Sequence, residues 1–102
     1  MKRVVVTGLG IVSSIGNNKE EVTASLRDGK SGISFAPEYA ERGFRSHVHG
    51  APTIDLADFV DRKHRRFMGD GAAYNYVAMD QAIADAGLED TDVSNDRTGL
   101  IM

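Results

Sequence analysis

Residues 3–18 read RVVVTGLGIVSSIGNN, and the remainder of the chain is best read outward from them. Val4, Val5 and Val6 form an unbroken apolar run, the pattern of a strand buried on both faces in a parallel or mixed sheet. Thr7 to Val12 continues it with glycines at Gly8 and Gly10, where a missing Cβ lets another backbone approach closely. Ser13 to Gly16 is loop. Asn18 stands three residues before Glu21, the spacing of a capping box, and Val22, Ser25 and Leu26 follow at helical intervals up to Gly29. A first helix is therefore expected over Lys19 to Asp28.

Farther along, Gly32-Ile33 leads into a short extended piece, and Pro37 to Arg42 is surface loop or one helical turn. Ser46 to Ala51 alternates weakly, as a short strand would, and Leu56 to Val60 is loop or a brief helix. Asp61 is placed to cap a basic helix ending near Met68, and Asp70 to cap a longer one. Ala72, Tyr76, Met79, Ile83 and Ala86 mark an apolar stripe along that helix, Gly87 is its stop, and Asp80, Gln81 and Asp85 fall outside the stripe. Val93 to Asp96 is a polar approach to a second strand, Thr98 to Met102, which the chain leaves in mid-run. Strand, helix, excursion, helix and strand indicate an α/β class with both strands in one sheet and the long helix packed on it. No repeat or flexible linker divides residues 1–102, so no internal domain boundary is placed. A two-strand sheet is small for independent stability, and its neighbours are expected in further sequence.

Composition narrows the function classes. The chain has 102 residues, is 41% hydrophobic and carries a net charge of −3, which is no global signature of nucleic-acid or membrane binding. The charge is uneven. The window Asp61 to Phe67 holds Arg62, Lys63, Arg65 and Arg66 against one acid, so it carries +3 and leaves −6 for everything else. A local anionic partner fits where a global one does not. There is no cysteine, hence no disulfide, thiolate metal site or thiol nucleophile in these residues, and a reducing compartment is compatible with that. Glycines break the apolar start before it can form a signal-peptide core, and no apolar run is long enough to span a bilayer.

Gly8-Leu9-Gly10-Ile11-Val12-Ser13 is one residue from a dinucleotide-binding fingerprint. Ser13 replaces the third glycine, and the helix begins only after Asn18, away from where a pyrophosphate would sit. Asp28 stands near the distance of a ribose-binding acid but within the helix. Crowded passage of the backbone is the favoured reading of these glycines. His47 and His49 alternate along a short strand, yet without a third ligand they make a poor zinc proposal. His64 belongs to the basic helix.

VVVTGLGIVSSIGNN resembles the amino-terminal signature of the beta-ketoacyl-[acyl-carrier-protein] synthases, the condensing enzymes of fatty-acid synthesis. SLRDGKSGI, RSHVHG, DRKHRRFMGDGAAYNYVAMDQAIADAGL and RTGLIM resemble later pieces of the same family, in the same order, across essentially all 102 residues. SSIGNN and VDRK are more similar to bacterial synthase I than to synthase II. The resemblance implies a thiolase-like fold in αβαβα layers, of which this chain would be the first part of the amino-terminal half. It implies a cytoplasmic homodimer that transfers an acyl chain from carrier protein to a cysteine. A carrier-bound malonyl group is then decarboxylated, and its carbanion attacks the acyl thioester. That cysteine and the two catalytic histidines would lie beyond Met102, so no catalytic residue, cofactor-binding residue or metal ligand is expected here, and residues 1–102 alone should be inactive. Substrates would arrive on the phosphopantetheine arm of acyl carrier protein.

The resemblance places Arg62, Lys63 and Arg66, with Arg45 beside them, in the family's carrier-docking patch. Residues 62, 63 and 66 share a helical face. A solvated helix without a partner is the plainer reading of the cluster. Nucleic-acid phosphates are disfavoured by its acidic flanks and the lack of a recognition motif. A polyketide ketosynthase, a non-catalytic chain-length partner of such a synthase, and a stand-alone binding module remain alternatives. A later cysteine with two histidines would mark a catalyst, and its loss a partner subunit.

Overall fold

The computed structural model describes residues 1–102. Helix α1 covers Lys19–Asp28, as its sequence signals indicate. The Asn18 side chain accepts from the Glu21 N–H at 2.9 Å, while the Glu21 carboxylate accepts from the Asn17 N–H at 2.7 Å, so two helix-start donors are satisfied reciprocally. Gly29 ends the helix in the left-handed region at φ 65°. Ser25 turns inward and donates to the Ile15 carbonyl at 2.6 Å, tying α1 to the loop before it.

Strands β1, Ile33–Phe35, and β2, Val48–Gly50, form an antiparallel pair with Ile33 opposite Gly50, Ser34 opposite His49 and Phe35 opposite Val48. Between them lies α2, Pro37–Glu41, with proline in its first turn, where a missing N–H costs nothing. Tyr39 makes edge contacts with Phe44 at 5.4 Å and His49 at 5.6 Å, and Phe35 does so with His47 at 6.3 Å. His49 and His47 are thus aromatic packing partners.

A 3-10 turn, Leu56–Asp58, leads into α3, Arg62–Arg65, then α4, Asp70–Ala86, and α5, Asp90–Val93. Three details differ from expectation. Helix α3 stops at Arg65, short of Met68. The cap position of α4 is Gly69, with Asp70 as the first helical residue, where its charge still faces the positive helix end. Helix α5, Asp90–Val93, was not expected and ends where the polar approach Val93 to Asp96 begins; its signal is the reciprocal capping of Glu89 and Asp92.

The central sheet does not form within these residues. Val4 to Val6 and Thr98 to Met102 carry no strand, and the only sheet is the β1–β2 pair. The valines are 71% to 95% exposed. A strand exists only where another backbone accepts from its N–H groups and donates to its C=O groups, and neither segment has that neighbour. The core is displaced as well. Val60, Ala73 and Val77 are buried, with Val12, Ile54, Leu56 and Met68 against them. The buried residues of α4, Ala73 and Val77, therefore lie one position beyond the expected Ala72 and Tyr76, while Ile83 and Ala86 of the expected stripe are half-buried. Ala72, Tyr76 and Met79 are exposed, Tyr76 at 49% and Met79 at 41%. Those apolar side chains, with Met68, Ile101 and Met102, line an open groove of about 600 Å³. The radius of gyration is 17.0 Å, against about 13 Å for a compact domain of 100 residues.

Candidate functional site

The basic cluster sits on one exposed helical turn. Asp61 starts it by accepting from the Lys63 N–H at 3.3 Å, and the Arg65 N–H closes the turn on the Asp61 carbonyl at 2.8 Å. His64 lies 3.7 Å from the same Asp61 carboxylate. Lys19, His64 and Arg65 take the ion pairs of the chain, which leaves Arg62, Lys63 and Arg66 exposed and without an acidic partner. The Arg66 guanidinium stands 5.4 Å over the ring of Phe67, itself 81% exposed. This surface can offer several solvent-exposed, unpaired cations and an aromatic face to an anionic partner. Arg45 is also exposed and unpaired, but it stands in the bend before β2 and makes no hydrogen bond or ion pair to α3.

Arg65 behaves differently. It is 33% exposed, donates through Nη1 to the Met68 carbonyl at 2.5 Å and pairs through Nη2 with Asp70. Charge counting alone cannot separate it from its neighbours; the turn geometry does.

The glycine segment forms a second ordered polar site. It runs antiparallel along α4. The Leu9 N–H donates to Asp85 Oδ2 at 3.0 Å and the Ile11 N–H to Gln81 Oε1 at 3.0 Å. Alternate residues of an extended chain are thus matched to helix positions four apart, because both repeats are about 6 Å long. Gln81 also donates to the Asn17 carbonyl at 2.7 Å, and Lys19 pairs with Asp85. A Cβ on Gly10 would overlap the Ala78 carbonyl and come within 2.8 Å of the Ala82 nitrogen. This is the crowded passage expected of these glycines. It also disposes of a pyrophosphate site, since the N–H groups at 9 and 11 are already bound and α1 starts only at Lys19. Gln81 and Asp85 lie outside the apolar stripe, and their four-residue spacing was the signal available in the sequence.

The Lys19 hydrogen bond, helped by the Leu9 N–H, holds the Asp85 carboxyl below its ordinary value of 3.8. The same contact raises Lys19 above 10.5. Asp85 is lowered, so its contribution is complete above the ordinary carboxylate value and lost as pH falls through the folded value. Lys19 is raised, so its contribution is present below 10.5 and lost as pH rises through its folded value. An acid titration followed at the Leu9 amide by NMR should show its midpoint below 3.8, moving upward in Lys19→Met. A midpoint that ignores the Lys19 substitution would contradict the pairing.

No group of three or more His, Asp or Glu side chains is placed to hold a metal ion. No helix is long and apolar enough to cross a membrane.

The family model described as beta-ketoacyl synthase, N-terminal domain, matches residues 1–102. The chain belongs to this family. Over its whole length it is 59% identical to the 3-oxoacyl-[acyl-carrier-protein] synthase 1 of Haemophilus influenzae, covering 25% of that protein. It is 56% identical to the synthase 1 of Escherichia coli K12, over 99% of this chain and 25% of that one. Against the 3-oxoacyl-[acyl-carrier-protein] synthase 2 of Vibrio harveyi the identity is 33%, over 97% of this chain and 24% of that one. These identities agree with the synthase I character of SSIGNN and VDRK. The chain spans about a quarter of the length of the curated relatives it matches.

Proposed function

We propose that these residues are the amino-terminal portion of a beta-ketoacyl synthase of the synthase 1 kind, acting in fatty-acid elongation. The observation that carries this is 59% identity, sustained over the whole chain, to a 3-oxoacyl-[acyl-carrier-protein] synthase 1. The full-length protein would be a cytoplasmic homodimer with thiolase-like αβαβα layering, and residues 1–102 one uninterrupted part of its first half. The exposed Val4 to Val6 and the apolar groove along α4 support that reading, as surfaces for further strands to cover.

In the proposed reaction a cysteine thiolate attacks the acyl thioester carbonyl, and the thiol of the carrier's phosphopantetheine arm leaves. The malonyl C–C bond to its carboxylate then breaks. Carbon dioxide departs, and the electron pair remains as an enolate steadied by two histidines. That carbanion attacks the acyl-enzyme carbonyl and expels the cysteine thiolate, giving a 3-oxoacyl thioester two carbons longer. Residues 1–102 contain no cysteine and take no part in bond making. Their role is recognition: Arg62, Lys63 and Arg66, with Arg45 as an outlying cation, receive the acidic surface of the carrier and orient it.

The test is carbon dioxide release from malonyl carrier in the presence of acyl carrier. The full-length protein should release it in step with 3-oxoacyl product, and the 102-residue chain should neither take up an acyl group nor release carbon dioxide. Acyl transfer to the 102-residue chain, or a full-length protein inert toward both carriers, would overturn the proposal.

A further inference from the structure

We propose that Arg65 and Asp70 form a positioning pair that sets the direction of α3, and so aims Arg62, Lys63 and Arg66 at the carrier; this rests on the docking role proposed above. Helix α3 has four residues. A helix that short cannot maintain its own direction, because one turn is barely past the cost of nucleation. Something outside it must hold it. Asp61 fixes its start through the Lys63 N–H. At its other end the chain leaves through Arg66 and Phe67, with the Phe67 N–H on the His64 carbonyl at 3.0 Å and the Met68 N–H on the Arg65 carbonyl at 3.2 Å. The Arg65 side chain then reaches over this turn. One guanidinium nitrogen donates to the Met68 carbonyl and the other to the carboxylate of Asp70, the first residue of α4. The four-residue helix is thereby fastened to a helix of 17 residues.

The same contact has an electrostatic consequence. Asp70 is an acid close to a surface meant for an acidic partner, and Arg65 neutralises it. Arg65 therefore supplies little net attraction of its own. Its worth lies in orientation, and that separates it from the free cations on either side.

Charge and position make opposite statements about one substitution. Asp70→Asn removes a negative charge beside the patch. If only the field matters, carrier association becomes faster, Arg65→Gln becomes slower, and the double variant returns to the parent rate. If the pair positions α3, Asp70→Asn is slower too, and the double variant is no slower than the worse single one, because either change breaks the same contact. We expect each single variant to slow association by about two- to fivefold, the range of an exposed ion pair.

The measurement is stopped-flow association of the full-length variants with acyl carrier protein at low salt, well below their thermal midpoints, where a mere loss of stability leaves the rate untouched. Slower association of Asp70→Asn supports the positioning pair. Unchanged or faster association overturns it. Charge reversal at Arg62, Lys63 and Arg66 tells the two proposals apart. If reversal slows association while Asp70→Asn does not, only the positioning role fails; if reversal has no effect, the docking role fails as well.

Discussion

Replacing Gly10 with valine in the full-length protein is expected to lower its stability by about 3 kcal/mol or more, the upper range of overpacking substitutions. Even a bare Cβ at this position would overlap the Ala78 carbonyl and stand 2.8 Å from the Ala82 nitrogen. Both are backbone atoms of α4 and cannot rotate away. The chain must instead separate from the helix, and separation breaks the Leu9 and Ile11 bonds to Asp85 and Gln81. Valine adds two further methyl groups to the same collision. A fall in the urea midpoint, or loss of soluble protein, is the expected reading. Gly71 supplies the contrast, because a Cβ there meets nothing within 4 Å. Gly71→Ala should be neutral or stabilising by about 0.5 kcal/mol through helix propensity and a less flexible unfolded chain. A Gly10→Val protein with the parent's midpoint would mean that the glycine segment does not lie against α4.

What the sequence could reveal followed the range of the forces involved. Helix α1 was legible end to end, because Asn18, Glu21 and Gly29 act on groups a few residues away. The β1 and β2 pieces, the 3-10 turn and the Asp61 cap were legible for the same reason. Val4 to Val6 misled: the run has the composition of a central strand, but composition does not provide the neighbouring backbone that makes one. The α4 stripe misled in a related way. Tyr76 and Met79 are apolar and helically spaced, yet it is Ala73 and Val77 that meet Val60. Which face of an apolar helix is buried depends on what surrounds it, and periodicity alone does not include the surroundings. In the basic cluster, residue type and spacing placed Arg62, Lys63 and Arg66 on one face. They could not show that Arg65 turns back to Asp70, since that contact depends on where α3 ends and how the chain enters α4.

The second large effect concerns that cluster. Reversing Arg62, Lys63 and Arg66 to glutamate should slow carrier association by about ten- to hundredfold at low ionic strength, within the range attributed to electrostatic steering. The three side chains are exposed and unpaired, so their reversal disturbs no internal ion pair. The difference should narrow as salt shortens the reach of the field to a few ångströms. Acylation of the nucleophile by a small thioester, which needs no carrier, should keep nearly the parent rate. The most direct test is the low-salt association rate of acyl carrier protein with the full-length triple variant, measured by stopped flow beside the parent. A rate lower by an order of magnitude or more is the predicted result, and a rate equal to the parent's would contradict the assignment of this surface to the carrier.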